Sequence, residues 1–115
     1  MLKVFGFIAR RPDLTAEQFH AHYRHPHGTL ARGMPTLLSY TQAHQIHCDL
    51  LDATQRRFEA IMEVRLAEPK DWFGFRTNPY LVEHLLDDEP NFIDLPRCAG
   101  LATHEEVLPG PSKDR

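Results

Sequence analysis

Residues 15–25 carry the signals that start a helix, and this helix anchors the interpretation of the whole chain. Thr15 is a favoured N-cap residue, and Gln18, three positions later, completes a capping box. Leu14 before the cap and Phe19 inside the helix have the spacing of a hydrophobic staple. The pattern therefore predicts an amphipathic helix that packs one apolar stripe against a core.

The same helix ends at a proline inside a cluster of histidines. Four of the chain's eight histidines lie between positions 20 and 27. Pro26 disfavours helical geometry at His25, so we predict that the helix stops near His25 and that His27 lies just past its C-terminal end. Phe19 and Tyr23 are four residues apart, and we expect them to share the buried stripe.

The remaining chain alternates strand and helix patterns. Asn78 followed by Pro79 starts a second main helix that runs to about Asp88, and a short helical turn is predicted at 69–75. Strand patterns occur at residues 2–9, 37–46, 57–66 and 97–107. The order βαββαβ predicts a ferredoxin-like α+β fold, with a four-stranded antiparallel sheet and helices on one face.

The other face of this sheet lacks a helical cover. Two sets of alternating residues mix polar and apolar side chains, Tyr40/Gln42/His44 and Glu59/Ile61/Glu63. Such sets suit the uncovered face, where they would line a pocket between two sheets. A homodimer is then the economical way to cover that face, since small domains leave much apolar surface unburied.

Length and composition bound the class of protein. A chain of 115 residues fits one domain, which we place at residues 1–108, with a flexible tail at 109–115. The net charge of −3 argues against nucleic acid or an anionic membrane as partner. Cys48 and Cys98 are isolated and predicted to be reduced thiols. With no signal peptide or membrane span in the pattern, we expect a cytoplasmic protein.

The spacing of the histidines does not favour a metal site in this tract. Zinc-binding pairs on a helix are typically four residues apart, as in H-E-x-x-H. No two histidines of the tract have that spacing, and the tract itself holds no cysteine or acid. We therefore predict no metal, and we interpret His20, His22 and His25 as side chains without a functional role.

Two separate motifs resemble those of the EthD family of dimeric α+β barrels, and the resemblance extends from about Lys3 to Val107. One is similar to the family's F-x-x-Y-W-x-x-x-H-x-P-L helix exit, which a proline and an aromatic-bearing strand follow. It consists of Phe19, Tyr23, His27, Leu30, Pro35 and Tyr40. The other, Asp88-Glu89-Pro90-Asn91-Phe92-Ile93-Asp94, is similar to the family's D-E-x-x-F-x-D element. His22-Tyr23 replaces the usual Tyr-Trp pair, and Gly28-Thr29 replaces the usual Ala-Pro pair.

The resemblance implies a homodimeric barrel but leaves the reaction open. The family is filed loosely under oxidoreductases. Similar barrels include cofactor-free monooxygenases, muconolactone isomerases, polyketide cyclases, decarboxylases and haem-handling proteins.

Three residues are predicted to be catalytic. His27 matches the family motif and is suited to proton transfer near neutral pH, although an imidazole at a helix end also caps carbonyls. Tyr40 is placed to donate to a substrate oxygen and stabilise an enolate or phenolate, unless it is simply a half-buried strand aromatic. His44 shares the parity of Tyr40 and is a second acid/base candidate, its alternative being a satisfied polar residue.

Four further residues are predicted to bind substrate: Tyr23, Glu63, Trp72 and Phe75. In a closed pocket Glu63, like Glu59, would have a raised pKa and act as a base, whereas on a wet face it is an ordinary surface acid. Trp72 and Phe75 could wall an apolar cavity, although an aromatic cluster at this spacing is more often plain core.

These observations predict a small dimeric enzyme that holds an apolar, carbonyl- or phenol-bearing molecule between sheet and helices. The substrate would be polyketide-, aromatic- or lactone-like. The chemistry would be cofactor-free acid/base catalysis of isomerase, cyclase, decarboxylase or oxygenase type. The sequence has no GxGxxG, P-loop or nucleophile elbow, which argues against nucleotide cofactors and serine-type hydrolysis. The alternative is a non-catalytic protein that binds a small hydrophobe or handles haem or metal.

Overall fold

The computed structural model describes residues 2–49, 57–73 and 77–111. Four strands, β1 (Leu2–Ile8), β2 (Ser39–His44), β3 (Ala60–Leu66) and β4 (Ala99–His104), form one antiparallel sheet in the order β2-β3-β1-β4. This arrangement confirms the predicted ferredoxin-like α+β class. Each strand is shorter than predicted. The seven residues of β1 pair one to one with the seven of β3, so both strands end at the same pairs, Leu2 with Leu66 and Ile8 with Ala60.

The helical elements are short and lie in two parts of the chain. After β1 come α1 (Ala16–His22), a kinked segment (Tyr23–His27) and α2 (Gly28–Ala31). After β3 come α3 (Pro69–Phe73) and a π-helical segment (Leu81–Leu86), followed by 3-10 turns at Glu89–Asn91 and Leu95–Arg97. In the described part of the chain, no helix is both long enough and apolar enough to cross a bilayer.

The capping box of α1 forms as predicted, and the helical geometry is broken at His25. Thr15 Oγ1 accepts from the Gln18 backbone N–H at 3.1 Å, and the Gln18 side chain accepts from the Thr15 N–H at 2.8 Å. His25 adopts an extended conformation (φ −154°, ψ 127°) before Pro26, and the peptide bond between them is cis. An extended residue before proline is the expected geometry.

The prediction that the helix stops near His25, with His27 past its C-terminal end, is confirmed, because α1 ends at His22 and His25 is not helical. The N–H of Gly28 donates to the Tyr23 carbonyl across the kink, and the short helix α2 begins there. A second helix therefore follows the break directly. His27 lies inside the kinked segment and is buried, with 8% of its surface exposed.

The set Tyr40/Gln42/His44 lies on the helix-covered face of the sheet, which corrects the expectation that both sets of alternating residues line the uncovered face. Tyr40, Gln42 and His44 pair in register with Val64, Met62 and Ala60, whose side chains pack beneath the helices. Ile61 and Glu63 alternate to the other face. Side chains repeat every two residues, so only the pairing register decides which parity faces the helices, and this register is not visible in one strand's pattern.

Two buried clusters fill the space between sheet and helices. Phe19 and Tyr23, both fully buried, share the first with Phe92, which confirms the predicted stripe. Val64, Leu66 and Leu85 centre the second. Met62 packs against both clusters and joins them.

The uncovered face carries apolar side chains and an ion pair between Lys3 and Glu63. Phe5, Phe7 and Ile61 are half-buried there, and Leu101 is 56% exposed. Glu63 also lies on this face, where its carboxylate is 2.5 Å from Lys3 Nζ. An apolar surface of this kind is typical of a face that a partner covers.

Candidate active site

Asp88 gathers two histidines and an asparagine in the interior. Its carboxylate accepts from His27 Nδ1 at 2.9 Å, from His22 Nε2 at 2.9 Å and from Asn91 Nδ2 at 3.1 Å. Burial alone raises the pKa of Asp88, but the hydrogen bonds from Asn91, His22 and His27 outweigh it and leave that pKa lowered. Asp88 is therefore an ionised, fully partnered acceptor.

This contact fixes the tautomer of His27. Because the Asp88 carboxylate can only accept, His27 Nδ1 carries the hydrogen, and Nε2 of the neutral ring carries a lone pair. Burial lowers the pKa of His27, and Asp88 only partly offsets that effect. His27 is thus a neutral imidazole at neutral pH, oriented by a carboxylate, which is the arrangement of a general base.

Two tyrosines meet beside this base. The Tyr23 ring lies between the rings of His27 and His44, with centroid distances of 6.0 and 5.3 Å. Within the described residues, the Tyr23 hydroxyl is the only buried side-chain polar atom without a hydrogen-bond partner. Burial raises the pKa of Tyr23 far above its ordinary value, and the neighbouring Tyr40 raises it further. Tyr23 therefore stays protonated and able to donate.

Gln42 holds the second tyrosine and begins a chain of hydrogen bonds. Its amide nitrogen donates to the Tyr23 backbone carbonyl at 2.7 Å and to the Tyr40 hydroxyl at 2.8 Å. The amide oxygen of Gln42 lies 2.9 Å from His44 Nε2. Burial raises the pKa of Tyr40, while the Gln42 amide and the neighbouring Tyr23 hydroxyl act in the opposite direction. Tyr40 accepts from Gln42 and has its own hydrogen to donate.

The chain continues from His44 to the far end of α1. His44 Nδ1 lies 2.5 Å from His20 Nδ1, and His20 Nε2 lies 3.0 Å from Glu59 Oε2. His47 Nε2 contacts the same oxygen at 2.6 Å, and Arg10 Nε donates to Glu59 Oε1 at 3.1 Å. Burial lowers the pKa of His44, as do the nearby His20 and Arg24. Both ring nitrogens of His44 are engaged, which suits a positioning residue better than a second acid/base.

His20, His47 and Glu59 form a potential metal site. One ligand atom from each lies within 4.8 Å of the other two. Spacings within the histidine tract cannot reveal this set, because its three residues come from separate segments of the chain.

An apolar groove of about 700 Å³ lies over β1 and β4. Its walls include Val4, Ile8, Met62, Trp72, Ile93, Cys98 and Ala102. The Met62 side chain lies against Gly6 of β1. A Cβ atom at position 6 would lie only 3.2 Å from Met62 Cε, so glycine leaves room for the methionine there. Met62 is also the register partner of Gln42. Met62 thus lies at the boundary between the groove and the strand that carries Tyr40 and Gln42.

The structure brings most of the predicted site residues together. His27, Tyr23, Tyr40 and His44 lie beneath the helices, and Trp72 lines the adjacent groove. Glu63 lies on the opposite face of the sheet with Lys3, apart from these residues. Phe75 lies outside the described residues.

Sequence reasoning missed the carboxylate partners of the histidines. Asp88 is the first residue of the second family motif, but the motif gives it no role, and the sequence suggests Glu59 only as a base. His22 and His27 are five residues apart, which on a regular helix places them on different faces. The kink at His25 lets both reach Asp88; Pro26 predicted where the helical geometry breaks, but not the path of the chain after the break.

The four-stranded antiparallel sheet with helices on one face makes this chain a ferredoxin-like α+β domain. A buried cluster of histidine, tyrosine and carboxylate side chains lies beneath those helices. The sequence profile of the EthD domain matches residues 11–96, and the chain therefore belongs to the EthD family.

Solved structures agree on the fold. An EthD family protein of Bacillus halodurans C-125 superposes with a TM-score of 0.71 at 14% identity, covering 92% of this chain and 99% of that chain. A hydroxynitrile lyase of Passiflora edulis gives 0.65 at 16% identity, with 94% and 96% covered. A dimeric ferredoxin-like protein of Thermobifida fusca YX gives 0.61 at 12% identity, with 89% and 88% covered. No curated protein matches the sequence significantly.

Proposed function

We propose that this EthD-family chain is a small-molecule enzyme that moves a proton on an apolar, carbonyl- or phenol-bearing substrate. Tyr23 and Tyr40 would donate to the substrate oxygen, and His27 would accept the proton. The observation that carries the proposal is the buried, partnerless hydroxyl of Tyr23 beside a carboxylate-oriented imidazole.

An unsatisfied buried hydroxyl has an energetic cost. Leaving such a group without a partner costs about 1–3 kcal/mol. A fold that keeps Tyr23 in this state gains nothing in stability from the hydroxyl, but a ligand oxygen would satisfy it. Two tyrosine hydroxyls that meet in an apolar interior are preorganised donors for developing negative charge on oxygen.

The base is equally well prepared. Asp88 holds the hydrogen of His27 on Nδ1, so Nε2 is left as the proton acceptor. Because burial lowers the pKa of His27, the ring remains neutral where a solvated imidazole would begin to protonate. The same residue can then return the proton in a later step, as isomerisation, cyclisation or lyase chemistry requires.

The groove supports the proposed substrate class. Its volume of about 700 Å³ lies within the range typical of small-molecule sites, which are mostly apolar with a few polar groups. A flexible Met62 at the boundary would let a substrate reach Tyr23 and Tyr40 from the groove, since methionine adapts readily to a changed neighbour.

We also propose that the chain forms a homodimer through the uncovered face of its sheet. Phe5, Phe7, Ile61 and Leu101 supply an apolar patch there, and the similar Thermobifida fusca protein is described as dimeric. Light scattering at micromolar concentration should give a dimer mass. A monomer would contradict this part of the proposal.

The test of the enzymatic function is a substrate panel combined with Tyr23→Phe. Aromatic ketones, lactones, phenols and cyanohydrins are screened by thermal shift and then by turnover; cyanohydrins are included because the Passiflora edulis protein is a hydroxynitrile lyase. Tyr23→Phe removes only the partnerless hydroxyl, so we expect a variant about 1 kcal/mol more stable with turnover reduced roughly 100-fold or more.

His27→Gln is the second variant of this test and should abolish proton transfer. Thr103→Val, which removes a hydroxyl on β4 away from the cluster, is the matched control. If Tyr23→Phe turns over substrate at the wild-type rate, the proposed role of the two tyrosines is wrong. Ligand binding without any turnover would instead indicate a protein that only binds its small molecule.

A further inference from the structure

Three side chains from separate segments converge on one point at the edge of the sheet. His20 comes from α1, His47 from the segment after β2, and Glu59 from the residue before β3. His20 Nε2 and His47 Nε2 lie 3.0 and 2.6 Å from the same atom, Glu59 Oε2. A metal ion with bonds of about 2.0–2.1 Å holds its ligand atoms roughly 3.3 Å apart, so small side-chain rotations complete the geometry.

The hydrogen-bond chain behind this point fixes which nitrogen of His20 carries a hydrogen. The Tyr23 carbonyl only accepts, so the amide nitrogen of Gln42 faces it and the amide oxygen faces His44. His44 Nε2 must then donate to that oxygen, which leaves Nδ1 of a neutral His44 as an acceptor. His20 Nδ1 is consequently the donor in the contact with His44.

His20 Nε2 faces the carboxylate oxygen of Glu59 across 3.0 Å. A ring nitrogen and a carboxylate oxygen at that distance are joined either by a proton or by a metal ion that both of them ligate. With His47 aimed at the same oxygen, the space between the three atoms is a position for positive charge.

From this geometry we propose that His20, His47 and Glu59 bind one divalent first-row transition-metal ion. Two imidazoles and a carboxylate are ligands that zinc, cobalt and ferrous iron accept, and three protein ligands leave a coordination position open for water or a substrate oxygen. The proposal does not depend on the proton-transfer role of His27.

The residues around the three ligands fit this proposal. A metal-binding histidine usually donates its other ring N–H to a fixed acceptor, which sets its orientation. His44 is that acceptor for His20, and Gln42 fixes His44 in turn. Arg10 engages Glu59 Oε1, so the carboxylate is held in place with Oε2 directed at the histidines.

The site is also reachable. The His47 side chain is 45% exposed, whereas those of His20 and Glu59 are 11% and 7% exposed. One exposed ligand beside two buried ligands gives the ion a path to the site and leaves room for a fourth ligand.

The experiment titrates the chelator-treated full chain with Co²⁺ and Zn²⁺. Visible absorption of Co²⁺ reports the number and type of ligands, and calorimetry with Zn²⁺ reports affinity and stoichiometry. We expect one ion per chain and a four-coordinate cobalt spectrum. His47→Ala is the main variant, because the exposed His47 can be removed without opening the core. It should weaken binding by about 100-fold or more, since loss of even an outer partner typically costs 10–100-fold.

Glu59→Gln should weaken binding similarly, and circular dichroism checks that both variants fold. His104→Ala removes an exposed histidine on β4 and is the matched control, expected to bind like wild type. Equal affinity of wild type, His47→Ala and Glu59→Gln would overturn the proposal, as would the absence of stoichiometric binding to the wild-type chain. These readouts need no substrate, so they stand or fall separately from the proposed catalysis.

Discussion

Two carboxylates in this molecule each gather two histidines, but they do so differently. Asp88 divides its partners between its oxygens: His27 contacts Oδ2, Asn91 contacts Oδ1, and His22 lies near both. Glu59 directs both of its histidines to Oε2 and gives Oε1 to Arg10.

The charge of the third partner differs as well. At Asp88 it is the neutral Asn91, so the carboxylate keeps its charge for the two histidines and orients them. At Glu59 it is the cationic Arg10, which neutralises one oxygen while the other faces two converging nitrogens. Under the two proposals, the carboxylate with divided partners positions a base, and the one with convergent partners belongs to a coordination site. Histidines of the tract at residues 20–27 reach both carboxylates, so one short segment would support two kinds of chemistry.

The largest expected effect is that of Asp88→Asn. The side chains of Asp88 and His27 are each only 10% exposed, so water cannot replace the lost charge. We expect the free energy of unfolding to fall by about 2 kcal/mol, the cost of leaving buried partners poorly satisfied. Urea unfolding measures it.

Asp87→Asn is the control for this change, because it alters an adjacent exposed carboxylate in the same way. It should remain within about 0.5 kcal/mol of wild type. If both variants lost the same stability, Asp88 would not be the organising acceptor of its cluster.

Glu59→Gln should have a smaller effect in the chelator-treated protein. His47 and Arg10 have side chains 45% and 32% exposed, and water can solvate both once the carboxylate is gone. We expect a loss of about 1 kcal/mol.

Added zinc should then affect the thermal stability of the two carboxylate variants differently. An ion that binds only the folded state stabilises it by mass action, so added Zn²⁺ should raise the melting temperature of wild type and of Asp88→Asn, but not of Glu59→Gln. A zinc-dependent shift of equal size in all three proteins would remove the distinction drawn between the clusters.

The sequence predicted the elements of the fold well, because their signals are local. The Thr15–Gln18 capping box, the Phe19 and Tyr23 stripe and the βαββαβ order all depend on neighbours within a few residues. The face of Tyr40 and His44 was predicted wrongly, since it depends on pairing with β3, which a 15-residue separation in the chain conceals.

The site was predicted only in part, for the same reason. His27 and Tyr40 carry a motif that can be read along the chain. Asp88 reaches His27 from 61 residues away, and Glu59 reaches His20 from 39 residues away. Such contacts arise from packing and from a kink at His25 that allows helix to resume. The sequence of the histidine tract therefore shows many imidazoles close together. It does not show that His20 contacts Glu59 while His22 and His27 contact Asp88.

The smallest expected effect is a pH-dependent difference between wild type and His27→Gln. Burial lowers the pKa of His27 below its ordinary value of 6.5, so below that pH the unfolded chain binds a proton that the folded chain does not. Stability should consequently fall as the pH drops below 6.5, with a slope that is a fraction of the one-proton value of about 1.4 kcal/mol per pH unit. The groups that face His27 are Asp88, His22 and Tyr23.

His27→Gln should lose this part of the slope. His44, whose pKa is also lowered, titrates in both proteins and cancels in the difference. Asp88 and Glu59 have lowered pKa values, so their contributions are lost only below their ordinary values of 3.8 and 4.5, outside this window. Urea unfolding at a series of pH values, with His104→Gln as the exposed control, measures the difference. Parallel curves for wild type and His27→Gln would mean that His27 does not remain neutral in the folded chain, and the contrast between a base-positioning carboxylate and a metal-binding one would lose its first half.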